Sequence, residues 1–446
     1  MIDLPATLVE LQRRLRRGKV SCSDALAAQS QRFTSSNQEF HAAITTWPVS
    51  IDGDNQKSLE CLSGIALAHK DIFNTSGRIP GLGHDAGRAV PGTPIAVVLK
   101  RLASHGAANI AALAMAEYAC GATGCNPNYE RCINPLHPDA VVGGSSSGSA
   151  VAVAGQMVYA SLGTDTAGSV RIPAATCGLH GLKTTHGLIP LDGVYPLAPS
   201  LDSVGILTRN ALDSEQVLHA CVNPGQLREP NHAPLRVKAW IPEGGLHEDV
   251  DSALNDFANA QSCSERFGTM PEHPPLTQLA DIVLHVEAAR THRTALLNCT
   301  ASAGVEAVGL AGLVIPQAWY DAALASRAYH LRTFVQRHLT QHDILIMPAL
   351  PEPIPDASQV LPGDATFDVK QLLGLHRYMG FINYLGLPSL VVPIALDARG
   401  LPISVQLVAR PFHELRLLNM AHKISLPIPG HKREQPGFLH SLSTQD

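Results

Sequence analysis

The chain has little charge. Only 16% of its 446 residues are Asp, Glu, Lys or Arg, and the net charge is −5 with 21 His left out of the count. Its Lys and Arg are scattered, which argues against a nucleic-acid footprint or a polybasic membrane patch. Paired cysteines are also missing. The nine Cys are Cys22, Cys61, Cys120, Cys125, Cys132, Cys177, Cys221, Cys263 and Cys299, and no two have CxxC spacing. An odd number without such pairs reads as reduced thiols, mostly small core residues, in a cytoplasmic protein. The run Cys120, Cys125, Cys132 lacks zinc spacing. The start, MIDLPATLVELQRRL, mixes apolar and charged residues at helical spacing and has no signal-peptide h-region. The longest uncharged stretch, residues 140–164, holds five Ser and five Gly, so it would be a poor membrane span. A soluble protein is expected. There is no internal repeat.

What is present centres on residues 141–173, VVGGSSSGSAVAVAGQMVYASLGTDTAGSVRIP. Two clusters of Gly and hydroxyl residues, 143–149 and 163–169, flank an apolar run, 150–162. Gly/Ser linkers stay flexible by lacking apolar residues. Here the first cluster passes at once into a segment that must be buried. Glycines beside buried serines imply backbone at unusual dihedrals, with N–H groups free to face a ligand.

Around this stretch, periodicity gives alternating elements. Residues 4–17 read as an amphipathic helix ended by Gly18, and Ser21 or Ser23 caps a second, running to about Phe33. Residues 65–68, IALA, read as a buried strand entering His69, Lys70 and Asp71. A helix is expected over 94–105, then strand and helix over 107–119, then turns over 121–139 wrapping the surface. Later helices are expected over 248–267, 281–297, 318–339 and 371–384. Strands are expected over 234–241, 343–347, 390–394 and 403–409, the last two joined by a turn at 397–400. Residues 77–92 and 351–362 read as loops, and the last twenty residues as a mobile tail. The alternation, without a linker, favours one α/β domain.

Three local patterns fail in context. Residues 81–86 match G-x-G-x-x-A but follow Arg78–Ile79–Pro80, not a strand. Residues 181–184, GLKT, lack the Gly that a P-loop has directly before Lys. Residues 144–148 match G-x-S-x-G, the elbow of α/β-hydrolases, which would make Ser146 the nucleophile of an esterase. That elbow needs a strand before it, and only Val141 and Val142 are there. Lys70 has two local readings. It is either an exposed strand-end lysine paired with Asp71, or a desolvated amine able to act as a base. Moving a lysine from about 10.4 to about 7 takes roughly 4–5 kcal/mol of differential stabilisation.

HKDIFNTSG around Lys70, GGSSSGSAVAVA from Gly143 and LGTDTAGSVRIPAA from Leu162 together resemble the amidase signature family. That family includes fatty-acid amide hydrolase, malonamidase, allophanate hydrolase and the amidotransferase A subunit that works on misacylated tRNA. Residues 117–135, 177–210 and 387–412 resemble the family as well, so the likeness is weakest over 211–340. The resemblance implies the amidase signature fold, α/β with a central mixed, mostly parallel sheet covered by helices on both faces. It implies a single domain over 1–446: a helical layer (1–60), a catalytic core (61–210), a variable helical region (211–340), C-terminal strands and helices (341–425) and a tail (426–446).

Carried over residue by residue, Ser169 is the nucleophile of an amidase. Ser145, after a cis bond from Gly144, is the bridging serine, and Lys70 is the terminal base. The N–H groups of Thr166, Ala167, Gly168 and Ser169 would form the oxyanion nest. Ser146 would brace the loop, and Asp165 with Arg171 would form a structural pair. His69 is expected to face away from the site, because adjacent strand residues point to opposite faces. No metal or cofactor is implied, and a homodimer is the family expectation. Tyr195, His84 and residues 371–384 are candidates to line the substrate pocket. Ala stands at position 167 where the family usually has Gly. Allophanate hydrolases resemble the chain there, which points to small polar or urea-derived amides. The alternatives are an amidotransferase A-type subunit delivering ammonia to a partner, and the Ser146 esterase.

Overall fold

In the computed structural model, residues 2–48, 60–84, 93–228, 234–424 and 426 are described. Eleven strands join in one sheet. They are β1 (Ala43–Thr46), β2 (Ala66–Lys70), β3 (Ala108–Leu113), β4 (Ala160–Asp165), β5 (His180–Lys183) and β6 (Ser203–Thr208). β7 (Val237–Trp240), β8 (Glu265–Phe267), β9 (Ile344–Pro348), β10 (Ser389–Leu396) and β11 (Pro402–Val408) follow. Their spatial order is β1-β3-β2-β4-β6-β5-β10-β11-β9-β7-β8. The α/β class and mixed sheet agree with expectation, but the sheet is not mostly parallel. Only β2–β3, β2–β4, β7–β8 and β7–β9 run parallel, and the other six neighbouring pairs are antiparallel. The short turn at 397–400 makes β10–β11 a hairpin, and hairpins are antiparallel by construction.

Both faces of the sheet are covered. Along β2, Leu67 packs into one hydrophobic core together with Leu8, Leu11 and Leu218. Its neighbours Ala66 and Ala68 pack into the other, with Phe33, Val151 and Ala174. Alternate residues of a strand face opposite ways, so a strand with apolar residues at every position is one that is buried on both sides. Gln29, on the helix Cys22–Phe40, fixes that helix to β2. Its Nε2 donates to Gly64 O at 2.8 Å, and its Oε1 accepts from Ala66 N–H at 2.9 Å.

Several expected boundaries move. The helix foreseen over 248–267 stops at Ala260, and β8 follows. The helix foreseen over 281–297 begins at His273, with Pro at its first turn, and breaks at His292 into a second piece, Arg293–Leu297. Residues 371–384 are two short helices, Val369–Gly374 and Gly380–Leu385. The turn-rich segment 121–139 is not all surface, since Asn126, Cys132 and Asn134 are buried. An unforeseen helix, Ala303–Val314, buries only Val305 and Gly309 and leaves Leu310, Leu313 and Val314 exposed. Residues 85–92 of the expected loop and 427–446 of the expected tail lie outside the described residues. Among the described residues no single helix is long and apolar enough to cross a membrane.

β2 and β4 are parallel neighbours, with Ala68 opposite Ser161 and His69 opposite Leu162. Their carboxyl ends therefore open at the same edge of the sheet, and they carry Lys70 and Asp165 there. Replacing Gln29 by Leu strands Ala66 N–H and Gly64 O in the core. Each orphaned group costs about 1–3 kcal/mol, so Gln29→Leu should lower the thermal midpoint, read by circular dichroism.

Candidate active site

Lys70 ends β2 and is fully buried. Its Nζ lies 2.7 Å from Ser145 Oγ and 3.0 Å from Thr164 Oγ1. No carboxylate forms an ion pair with it among the described residues. Burial pushes its pKa down to about 7, against the pull of Asp202 and Asp165. The alternative pairing with Asp71 does not occur. Asp71 is taken by Arg78, at 2.8 and 3.1 Å, and by Gly81 N–H at 2.9 Å.

The serine loop reaches Lys70 through the cis bond between Gly144 and Ser145. Gly143 sits at φ +76, and a Cβ on Gly144 would lie 2.6 Å from Gly121 O. These glycines let the loop press against neighbouring backbone. Ser145 O accepts from Ala116 N–H at 3.1 Å. Ser146 Oγ donates to Thr164 O at 3.3 Å. Ser146 is fully buried and precedes the helix Ser147–Ala154 without a side-chain capping bond, and no strand comes before it. The esterase reading fails on this, because an elbow serine must stand exposed at the end of a strand.

Ser169 lies beside this loop, its carbonyl accepting from Ser146 N–H at 3.2 Å. It is 9% exposed, whereas Lys70 and Ser145 are not exposed at all, so of the three Ser169 is the one in reach of solvent. Among the described residues no hydrogen bond joins Ser145 Oγ to Ser169 Oγ.

The nest expected from Thr166, Ala167, Gly168 and Ser169 needs a correction. Gly168 N–H is already engaged, donating to Asp165 Oδ1 at 2.9 Å. The N–H groups of Thr166, Ala167 and Ser169 meet no acceptor among the described residues. Ala167 is not among the residues with positive φ, so its methyl group fits the turn, while Gly168 has φ +114. A Cβ on Gly168 would lie 2.7 Å from Met379 Cγ.

Asp165 and Arg171 form the expected pair, Arg171 Nη2 lying 2.8 Å from Asp165 Oδ1, both side chains fully buried. Burial alone would raise the Asp165 pKa. The Arg171 charge and hydrogen bonds, Lys183 and Asn383 outweigh it and hold the carboxyl below the usual carboxylate range. Arg171 also donates to Asn383 Oδ1 at 2.6 Å and to Gln406 Oε1.

His69 faces away, as expected. Its ring stacks on Trp47 and meets Phe73 edge-on, Nδ1 donates to Lys70 O at 2.9 Å, and Nε2 accepts from Asn109. Burial pushes its pKa to about 4. The pocket candidates Tyr195 and His84 touch neither serine. Tyr195 stacks on His292 at 6.1 Å, and His84 Nε2 lies 2.9 Å from Glu117 Oε1. Of residues 371–384, Met379 reaches the nest.

The sequence reading did not single out Thr164, Asp202 or Lys183. Thr164 gives Lys70 its second hydroxyl. Asp202 accepts from Thr166 Oγ1 at 2.6 Å and from the amides of Leu197 and Ala198, and burial raises its pKa to about 6. Lys183 is a second fully buried lysine, also pushed to about 7 by burial. Its Nζ donates to the carbonyls of Thr184 and Leu387. A carbonyl has no proton to give, so Lys183 lacks the hydroxyl partner that distinguishes Lys70.

The family model described as Amidase matches residues 21–245 and 279–418, most of the chain. The chain belongs to the amidase signature family. It is an enzyme of that family, whose members act on C–N bonds. It is similar to the A subunit of the glutamyl-tRNA(Gln) amidotransferase of Halorhodospira halophila, 31% identical over 84% of this chain and 86% of that one. The corresponding protein of Geotalea daltonii is 28% identical over 96% of this chain and 98% of that one. A solved structure described as an amidase superposes with a TM-score of 0.81 at 27% identity, covering 93% of this chain and 98% of the other.

Removing the Arg171 guanidinium leaves a buried carboxylate without its counter-charge, which costs about 3–5 kcal/mol. Arg171→Met should therefore lower the urea midpoint markedly. An unchanged midpoint would show that the pair does not hold this turn.

Proposed function

We propose that this enzyme hydrolyses the C–N bond of a small carboxamide through an acyl-enzyme on Ser169. The observation that carries the reading is a buried amine held by two hydroxyls and no ion-paired carboxylate. Lys70, uncharged, takes a proton from Ser145 Oγ as Ser145 takes one from Ser169 Oγ. Ser169 Oγ bonds to the amide carbon, and the carbonyl π electrons move onto oxygen. The N–H groups of Thr166, Ala167 and Ser169 are the donors for that oxyanion, a contribution of a few kcal/mol. When the oxyanion collapses, the C–N bond breaks and its electron pair goes to nitrogen. Nitrogen receives a proton back through Ser145, so ammonia or an amine leaves. Water then attacks the acyl ester and returns Ser169, giving the carboxylate.

A second reading is favoured by the names of the relatives at 28–31% identity, which are amidotransferase A subunits. In that reading the same chemistry delivers ammonia to a partner. The two differ in one measurement. A free-standing amidase releases ammonia from amides as the purified chain, whereas one component of an amidotransferase stays nearly inactive until its partner is added.

With its pKa near 7, Lys70 is protonated below neutrality and cannot accept a proton. The value of kcat/KM should rise about tenfold per pH unit below 6.5 and level off above about 7.5. His69, titrating near 4, adds nothing in that window. Lys70→Ala should remove this rise with pH and lower kcat by about 10²–10⁴. Wild-type rates in that variant at every pH would refute the proton path. A fluorophosphonate should label Ser169 and not Ser146, and Ser169→Ala should abolish labelling.

A further inference from the structure

Three segments leave the proposed triad and meet again in a group of rings. Tyr118 lies two residues beyond Ala116, whose N–H donates to Ser145 O, and its own N–H donates to Leu82 O at 2.8 Å. Leu82 N–H in turn donates to the carbonyl of Asp71, the residue after Lys70. Tyr195 N–H donates to Ile72 O at 3.0 Å. His292 stands at the break between the helices His273–Thr291 and Arg293–Leu297. Its neighbour Thr291 donates to Leu197 O, and Leu197 N–H donates to Asp202, which also holds Thr166. The rings therefore hang from backbone bonded to the residues around Lys70, Ser145 and the nest.

Their contacts form a chain. His84 and Tyr118 lie 4.9 Å apart, Tyr118 and His292 4.5 Å, and Tyr195 and His292 6.1 Å with planes 23° apart. The outer members are open to solvent, Tyr195 at 36% exposure, while His292 is 4% exposed. The Nε2 atom of His292 is buried with no hydrogen-bond partner. A buried polar nitrogen without a partner loses the free energy of a hydrogen bond unless a ligand supplies it. Burial holds this imidazole neutral, its pKa near 4, so Nε2 can meet an uncharged partner. Among the described residues no Lys or Arg side chain lies over Tyr118 or Tyr195. The one acid in the group, Glu117, accepts from Ser302 N–H and lies 2.9 Å from His84 Nε2. Aromatic faces and the neutral Nε2 of His292 suit a flat, uncharged ring with a polar atom on its edge.

We propose that Tyr118, Tyr195 and His292 form the subsite for the acyl group, and that the substrate class is heteroaryl carboxamides. The rings hold the flat face, and His292 Nε2 hydrogen-bonds the ring edge. The assignment rests on the amidase reading above, so its test reads binding apart from turnover.

Calorimetry on Ser169→Ala protein separates the two, because it needs no hydrolysis. The probes are pyridine-3-carboxamide, benzamide, isobutyramide and biuret. Both aryl amides should bind at least about tenfold more tightly than isobutyramide or biuret, and the pyridine more tightly than benzamide. Adding Tyr195→Ala should weaken both aryl amides about fivefold and leave isobutyramide within twofold. Adding His292→Phe should keep benzamide binding and erase the pyridine's advantage. Tyr195 is partly exposed, so its variant should melt at the parent temperature. Equal binding of all four amides, tighter binding of biuret, or a Tyr195→Ala loss shared by every probe would overturn the subsite. A preference for aryl amides in binding, together with wild-type protein that cleaves no amide, would keep the subsite and refute the amidase reading.

Discussion

An amine kept without a counter-ion is the condition on which the rest of this site depends. Water would hold a lysine charged at neutral pH, and so would a carboxylate in contact. The fold denies Lys70 both. It buries the side chain at the end of β2 and offers it only the hydroxyls of Ser145 and Thr164. The nearby carboxylates are committed elsewhere. Asp165 is held by Arg171, Asn383 and three backbone amides. Asp202 is held by Thr166 and two amides. Each acts on the lysine only through space, which softens the desolvation of the amine without reversing it.

Close backbone contact makes that arrangement possible. A Cβ on Gly163 would lie 2.6 Å from Ser146 Oγ, and one on Gly124 would lie 2.3 Å from Gly143 O. Side chains at these positions would push the serine loop off β4 and away from the lysine. The wealth of glycine and serine in 141–173 is thus a packing requirement, and the apolar run 150–162 is what anchors it.

Much of this was legible in the chain. β2 announced itself as an uninterrupted apolar run, as a strand buried on both faces must. The serine loop and the nest were readable because glycines and hydroxyls cluster there and nowhere else so densely. Other features depend on tertiary partners. β8 is three residues, ERF, none of them buried, and carries no apolar signal. The proportion of antiparallel pairs was misjudged, because pairing partners far apart in sequence leave no local trace. That Asp165 turns back onto Gly168 N–H, taking one amide from the nest, follows from the conformation of the turn and not from residue type. Thr164 and Asp202 stood inside recognisable motifs, yet only their placement shows what they hold. His292 has no motif around it at all.

The clasp on the turn that carries Ser169 has a consequence for the order of synthesis. Arg171 finds Asn383 and Gln406 only across 212 and 235 residues of later chain. Lys70, Ser145 and Ser169 all emerge from the ribosome well before those two partners exist. The turn bearing Ser169 therefore gains its final support late, once β11 is made and docked.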